Sequence, residues 1–224
     1  MLTAIIVAAG TSRRLGFDKL SASIAGKPLI VHTVEAFEQS KCVNEIVVVT
    51  RVERIKEFEQ LLQKATKVKK VVGGGEHRHN SVEAGLRQLN ESTDYVAVHD
   101  GARPLVTPSA IGQVFDHACK HGAASLAEAV RDTLKRVDDD LVVSGSVDRD
   151  QVYAMQTPQV FERKLLEQAY AAVAKNGRLV TDEVSAVELL GQKVFLVPND
   201  EVNFKITYER DLQLAEAVLR QRAT

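Results

Sequence analysis

The chain has 224 residues, enough for one large α/β domain or two small ones. Its apolar fraction of 45% and charged fraction of 26% are those of a soluble globular fold. A formal net charge of -1 excludes a global attraction to nucleic acid or to anionic membrane, so a phosphate ligand must meet a local cluster of cations. The elements follow in chain order. Leu2–Ala9 is a continuous apolar run that predicts a buried strand. Pro28 starts a helix carrying Leu29, Ile30, Val34 and Phe37 on one face. Glu45–Thr50, with Ile46-Val47-Val48-Val49, predicts a second strand. Val52–Ala65 places Ile55, Phe58, Leu61 and Leu62 at helical spacing. Val68–Val72 is a third strand, Asn80 or Ser81 caps a helix through Leu89, and Tyr95–His99 is a fourth strand before a helix at Pro108–His121. Continuous apolar strands alternating with helices argue for a parallel sheet covered on both faces.

The pattern changes after Gly122. Ala123–Val130, Thr133–Val137, Leu141–Ser146 and Val152–Thr157 are closely spaced strand candidates, with Asp138-Asp139-Asp140 as the turn of a hairpin. Helices resume at Arg163–Lys175 and Glu183–Leu190, then a strand at Lys193–Pro198 and a helix at Tyr208–Arg222. No linker rich in Gly, Pro or Ser interrupts this order. The expectation is one α/β domain over residues 1–224, with a β-hairpin excursion near 130–152.

Cys42 and Cys119 form no C-x-x-C pair, which suggests neither a disulfide framework nor a zinc site and fits a reducing, cytoplasmic compartment. The N-terminal apolar run is too short for a signal peptide and has no basic stretch before it. No stretch approaches the ~18 apolar residues of a membrane span.

Three polar segments fall at the carboxyl ends of the first, third and fourth parallel strands, where ligands bind in such folds. The first is Ala8-Ala9-Gly10-Thr11-Ser12-Arg13-Arg14-Leu15-Gly16-Phe17-Asp18-Lys19. A loop rich in N–H donors and fixed positive charge suits a polyphosphate. It is neither G-x-G-x-x-G nor a Walker A loop. The plain alternative is an ordinary strand-to-helix loop with solvated arginines. The second segment is Gly73-Gly74-Gly75-Glu76-His77-Arg78-His79-Asn80-Ser81. Its glycines permit close approach to a planar base, and Ser81 offers either a ligand-facing hydroxyl or a plain N-cap. His77 and His79 lack an obvious third metal ligand and read as solvent-facing. The third is Asp100-Gly101-Ala102-Arg103-Pro104. His99-Asp100 invites a metal reading, against the alternative of a turn-forming or capping aspartate.

Together with these segments, Val130-Arg131-Asp132-Thr133, Val147-Asp148-Arg149, Gln156-Thr157-Pro158-Gln159, Thr181-Asp182-Glu183 and Phe204-Lys205-Ile206-Thr207 form an ordered set. The set resembles the 2-C-methyl-D-erythritol 4-phosphate cytidylyltransferase family over nearly the whole chain. The resemblance implies a Rossmann-like nucleotidyltransferase fold with a protruding β-arm that helps make a homodimer. It implies transfer of the cytidylyl group of CTP to a polyol phosphate, with pyrophosphate released, in non-mevalonate isoprenoid biosynthesis. The attacking group is an ionised phosphate, so no catalytic base is required and catalysis rests on positioning and charge.

By the same resemblance, Arg14 and Lys19 stabilise the transition state. Ala8, Ala9, Gly10, Gly75 and Ser81 read the cytosine, and Asp100 and Gly101 complete the CTP site. Mg2+ bridges the triphosphate oxygens, with Asp100 as the carboxylate best placed to help hold it. Arg149 and Lys205, with Thr133, match the positions that bind the second substrate's phosphate, and Arg103 lies between the two subsites. Arg149, at the end of the hairpin, is placed to serve the neighbouring subunit's site. Taken singly, Arg149 and Lys205 read as surface charges.

The chain departs from the family pattern at Leu20 after Lys19, where many members carry Gln, and at Glu76, where Asp is common. The polar start Thr181-Asp182-Glu183 is kept, but Val184-Ser185 then varies. Two alternatives remain at this stage. One is a relative acting on another polyol phosphate such as ribitol 5-phosphate, since one methyl group is worth only ~1–3 kcal/mol. The other is a nucleotide-binding regulatory module without catalysis, against which the charged set Arg14, Lys19, Asp100, Arg149 and Lys205 argues.

Overall fold

A computed structural model describes residues 1–10, 18–177 and 180–222. Strand β1 (Leu2–Val7) leads to a short hairpin of β2 (Ser23–Ile24) and β3 (Lys27–Pro28), then to α1 (Leu29–Gln39). β4 (Val43–Thr50), α2 (Ile55–Leu61), β5 (Val68–Gly73), α3 (Arg78–Leu86), β6 (Tyr95–Asp100) and α4 (Pro108–His121) follow. Next come β7 (Ala123–Ala129), the arm strands β8 (Leu134–Val137) and β9 (Val143–Val147), and β10 (Tyr153–Glu162). The rest is α5 (Arg163–Asn176), α6 (Glu183–Glu188), β11 (Phe195–Pro198) and α7 (Glu209–Arg222).

Seven strands form one sheet in the order β11-β7-β10-β6-β1-β4-β5. β1 pairs in parallel with β4 and β6, and β4 with β5. β10 runs antiparallel to β6 and to β7, while β11 is parallel to β7. The continuous apolar strands are buried on both faces, as their composition requires. Ala4, Ile6, Ile46 and Val48 face a core with Phe37, Phe58 and Ile111, whereas Ile5, Val47, Val49 and Val98 face Leu86, Leu166 and Val187. Each fully buried Leu, Ile or Phe side chain contributes about 1.5–3 kcal/mol.

Helix α4 has the boundaries its sequence specifies. Thr107 Oγ1 accepts the Ala110 N–H at 3.2 Å, Pro108 opens the first turn, and Gly122 ends the helix at φ 81°. Other expectations are corrected. The helix expected over Val52–Ala65 is a 3₁₀ turn at Val52–Arg54 followed by the shorter α2. Glu38 takes the Thr66 hydroxyl at 2.6 Å and the Thr66 N–H at 3.0 Å, which draws the chain away against α1. Helix α3 starts at Arg78, ahead of the expected cap at Asn80 or Ser81, because the Asn80 side chain reaches back to the His77 N–H at 3.3 Å. The strand expected at Val152–Thr157 continues to Glu162 and inserts between β6 and β7. Pro158 is accommodated where the register with β7 shifts between Met155 and Gln159. Leu141 belongs to the arm's turn rather than its second strand: it sits at φ 63°, with its N–H on the Asp138 carbonyl. The β2–β3 hairpin had no counterpart among the expected elements; Ala25 at φ 45° and Gly26 at φ 79° make its two-residue loop.

Candidate active site

The carboxyl ends of β1, β5 and β6 open on one cleft. Ala8, Ala9 and Gly10 line it from the turn after β1, Gly75, Glu76 and His77 from the β5–α3 turn, Arg78 and Ser81 from α3, and Asp100 and Ala102 from the end of β6 and the turn beyond it. Lys19, Leu20 and Lys205 complete the wall. The sequence-derived candidates Ala8, Ala9, Gly10, Lys19, Gly75, Ser81, Asp100 and Lys205 are thus brought together. Arg14 lies outside the described residues.

Backbone pairing sets the floor. The Ala8 N–H donates to the Val49 carbonyl at 2.7 Å, and Gly74 N–H to the Thr50 carbonyl at 2.7 Å. A Cβ on Gly74 would lie 2.5 Å from Ser81 Oγ and 2.8 Å from Ala9 Cβ, so glycine lets the β1 turn and α3 close on each other. Ser81 is buried inside α3, its hydroxyl 3.4 Å from the His77 carbonyl; it is not the helix cap. Gly101 is buried too. Its N–H donates to Val7 O at 2.8 Å and its carbonyl accepts the Thr33 hydroxyl at 2.9 Å, so it fixes the turn beyond Asp100.

Asp100 is the electrostatic centre. Lys205 Nζ lies 3.0 Å from Oδ2, Arg78 Nε 3.2 Å from Oδ1, and Arg103 Nε 3.7 Å from Oδ2. Burial by itself would raise the carboxyl pKa; the charges of Lys205, Arg78 and Arg103 overcome it and hold the group below the usual carboxylate range. Arg103 is turned inward, donating to the Asn203 carbonyl at 2.7 Å and the Met155 carbonyl at 3.4 Å. Its burial lowers its pKa against the pull of Asp100. In this structure it braces the charge cluster and the β10 segment.

Arg78 was not singled out from the sequence, where it reads as one of several charges after a glycine run. Its guanidinium spans two carboxylates. Besides Asp100, it grips Glu183 with both Nη atoms, at 2.5 and 2.9 Å. Burial opposes the charge, but Glu183 and Asp100 prevail and raise the Arg78 pKa. Glu183 is fully buried and accepts the Tyr170 hydroxyl at 2.9 Å. Desolvation and then Glu183 push that phenol's pKa upward. Gln159 accepts the Glu183 and Val184 N–H groups, both at 3.1 Å, and donates to Asp182 at 3.0 Å. The Gln-Thr-Pro-Gln and Thr-Asp-Glu motifs therefore support the cleft from beneath.

His99 points to the other side of β6 from Asp100, as strand alternation demands. It is fully buried against Phe37, and burial holds its pKa down to about 3, so the ring is neutral. Nε2 lies 3.1 Å from the Arg103 carbonyl and must donate there; Nδ1 accepts the Thr157 hydroxyl at 3.0 Å, and Thr157 Oγ1 accepts the Asp100 N–H at 3.1 Å. The pair His99-Asp100 is therefore not a metal site. Among the described residues, no group of three or more His, Cys, Asp and Glu side chains gathers to hold a metal. Asp100 is ionised and offers hard oxygens, but cations lie against both. This donor set fits a metal ion carried in by a triphosphate, with Asp100 beside it, rather than an ion held by protein ligands.

Thr133 and Arg149 lie outside this cleft, exposed near the base of the arm. The Arg149 guanidinium donates to the Arg131 carbonyl across the arm.

Small-residue turns, a closing helix and converging cations at the carboxyl edge of a mostly parallel sheet define an α/β protein built to bind a polyanionic ligand such as a nucleotide. Residues 2–221 match the family described as IspD, 2-C-methyl-D-erythritol 4-phosphate cytidylyltransferase. The chain is 40% identical over 225 residues to the enzyme of that name from Caldanaerobacter subterraneus subsp. tengcongensis, covering 98% of this chain and 99% of that one. It is 38% identical over 222 residues to the one from Halalkalibacterium halodurans, covering 97% and 96%. The crystal structure of 4-diphosphocytidyl-2C-methyl-D-erythritol synthase from Anaerococcus prevotii superposes with a TM-score of 0.87 at 30% identity, covering 98% of this chain and 96% of that one. The chain belongs to the 2-C-methyl-D-erythritol 4-phosphate cytidylyltransferase family.

Proposed function

We propose that the cleft around Asp100 is where this cytidylyltransferase transfers the cytidylyl group of CTP to 2-C-methyl-D-erythritol 4-phosphate. The products are 4-diphosphocytidyl-2-C-methyl-D-erythritol and pyrophosphate. The observation that carries the site assignment is the convergence of Lys19, Arg78 and Lys205 with the Ala8–Gly10 turn at one sheet edge. The acceptor phosphate is already an anion, so its oxygen attacks the α-phosphorus in line without a base. The protein's work is to align two polyanions and to neutralise the charge that builds between them. Arg14 and Lys19 serve the triphosphate and the transition state. The exposed backbone of Gly10 and Gly75, with Ala8, Ala9 and Ser81, frames the cytosine. Asp100 and Gly101 fix the far side of the CTP site. Lys205, with Arg103 behind it, serves the acceptor phosphate.

Mg2+ bound on the triphosphate oxygens beside Asp100 would neutralise part of the nucleotide's charge. Thr133 and Arg149 belong with the acceptor site of a second copy, reached through the arm. Leu141, Val142 and Val143 are 79%, 60% and 60% exposed, an apolar cluster that a twofold arm-to-arm contact covers. We take residues 1–224 as one nucleotidyltransferase domain. None of the described helices is long and apolar enough to cross a membrane; we place the enzyme in the cytoplasm, where Cys42 and Cys119, both free, stay reduced.

The test is pyrophosphate release from CTP with a panel of polyol phosphates. Mg2+-dependent turnover is expected with methylerythritol phosphate, and a clearly lower kcat/KM with ribitol 5-phosphate. A preference for the ribitol ester moves the chain to the alternative acceptor. No turnover with any polyol phosphate overturns the assignment.

A further inference from the structure

Lys19 enters the cleft from a turn that is anchored on both sides. Leu20 is buried, and its carbonyl accepts the Ile30 N–H at 3.0 Å. The Lys19 carbonyl accepts the Ala22 N–H at 3.1 Å, and Lys19 Nζ donates to the Ile206 carbonyl at 2.7 Å. On the other side, Asp18 Oδ1 accepts the Leu20 N–H at 2.9 Å, closing a turn around Lys19. Asp18 Oδ2 is held in turn by Arg51 Nη2 at 3.1 Å and by Arg54 Nη1.

Arg54 is an unusual residue to bury at the end of a 3₁₀ turn: it is 7% exposed and stands over the Phe58 ring at 4.7 Å. Its fork is spread between the loop and α2. Nε donates to Glu57 Oε2 at 2.9 Å and Nη2 to Glu57 Oε1 at 2.7 Å, with Nη2 also on Ser21 Oγ. Glu57 accepts the Ser21 hydroxyl at 2.7 Å. A buried guanidinium is costly unless such partners surround it. Here those partners tie the segment Asp18–Ser21 to the rigid β4–α2 unit.

We infer that Arg54 is a positioning residue for Lys19, acting through Asp18 to hold the Lys19 turn against β4–α2. The inference deepens the reading of Lys19 as a charge-stabilising residue and rests on it for its effect on rate. Arg54 is not among the residues that line the cleft. It sets where the Lys19 ammonium stands, and misplacing a charge by about 1 Å costs up to about 10²-fold in rate.

The experiment is a double-mutant cycle on the full chain. Arg54→Met and Asp18→Asn are made alone and combined with Lys19→Ala, and single-turnover rates are measured with enzyme in excess. In parallel, labelling of Lys19 by an acetylating N-hydroxysuccinimide ester is followed by mass spectrometry. With Lys19 present, each variant is expected to lower the rate about tenfold or more at an almost unchanged KM for CTP, and to speed Lys19 labelling several-fold. With Lys19→Ala, neither should lower it further. If Arg54→Met fails to fold, Asp18→Asn, whose side chain is partly exposed, carries the test. An unchanged rate in Asp18→Asn, or an equal loss in the Lys19→Ala background, overturns the inference. If Lys19→Ala itself leaves the rate unchanged, the reading of Lys19 falls by itself. Faster labelling in Asp18→Asn then sustains the positioning, and unchanged labelling overturns it.

Discussion

Lys205 Nζ stands 3.0 Å from Asp100 Oδ2, joining the segment before α7 to the tip of β6. The lysine is half-exposed and the carboxylate is buried, so the ammonium faces the cleft on one side and the charge cluster on the other. A phosphate arriving at Lys205 gains a charge-assisted bond, and Asp100 keeps Arg78 and Arg103 when the lysine turns to it. Lys205→Ala is therefore expected to raise KM for the polyol phosphate about 10- to 100-fold, the scale of losing one bond to a charged group. CTP affinity should stay near normal. Calorimetric titration checks this: loss of CTP binding in Lys205→Ala contradicts the assignment.

The cations at the triphosphate should behave differently. Lys19→Ala and Arg14→Ala are expected to lower kcat by roughly 10²-fold or more, because a preorganised charge acts most where charge develops. Steady-state kinetics separates the two classes: a rise in KM without loss of kcat would place Lys19 among the ground-state binders.

Much of this architecture is legible in the residues. Continuous Val-Ile runs required a doubly covered parallel sheet, and the helix expected at Pro108–His121 is α4 to the residue. The polar segments after β1, β5 and β6 marked the cleft by the geometry of parallel sheets. Legibility failed where long-range partners decide. Arg78 gains its meaning from Glu183, 105 positions away, which no local pattern announces. Strand β10 was cut short because Gln156-Thr157-Pro158-Gln159 is polar; its side chains are buried in contacts with Asn199, Asn203 and Asp182 that exist only in the folded chain. Arg103, placed between the two subsites by the resemblance, also donates to the Asn203 and Met155 carbonyls, contacts that no local pattern announces.

Glu183→Gln tests the support beneath the cleft. It leaves the Arg78 guanidinium, 24% exposed, with Asp100 as its remaining carboxylate partner, and leaves Tyr170 donating to a neutral amide. Removing one partner of a fully sealed pair costs about 3–5 kcal/mol. With the residual exposure and Asp100 still in place, a loss of about 2–3 kcal/mol is expected by urea unfolding. Unchanged stability would mean that the pair's desolvation already cancels its attraction.

His99 fixes an acid limit. Its folded pKa of about 3 lies below the unfolded value near 6.5, so between these values the unfolded chain binds the extra proton. Stability then falls as pH falls, by about 1.4 kcal/mol per pH unit across that window. Asp100 acts with the same sign in a lower window: its contribution is present above about pH 4 and is lost as pH falls towards its depressed folded value. Urea midpoints between pH 7 and pH 4 should therefore decline steadily, and His99→Gln should flatten the upper part of that decline. A wild-type midpoint constant from pH 7 to pH 5 would show that His99 is protonated without cost.

In the proposed dimer the arm joins assembly to activity. Among the described residues β8 and β9 pair only with each other, and a two-stranded ribbon is marginal in water without further burial. Their turn is well made: Asp138 Oδ1 takes the Val142 N–H at 2.9 Å and the Asp140 N–H at 3.1 Å. The turn therefore specifies the ribbon's shape, while Val137, Leu141, Val142 and Val143 remain exposed and supply no stabilisation within the chain. In the dimer proposed above, pairing of like arms about a twofold axis would cover them and carry Thr133 and Arg149 towards the other copy's cleft. Leu141→Asp with Val143→Asp places like charges across that contact without touching the core. The expected result is a monomer by light scattering, with CTP affinity retained and a raised KM for the polyol phosphate. Arg149→Ala should raise the same KM in a protein that remains dimeric, separating loss of the side chain from loss of the interface. A wild-type protein that is monomeric and fully active at assay concentration would overturn the arm's proposed part in catalysis.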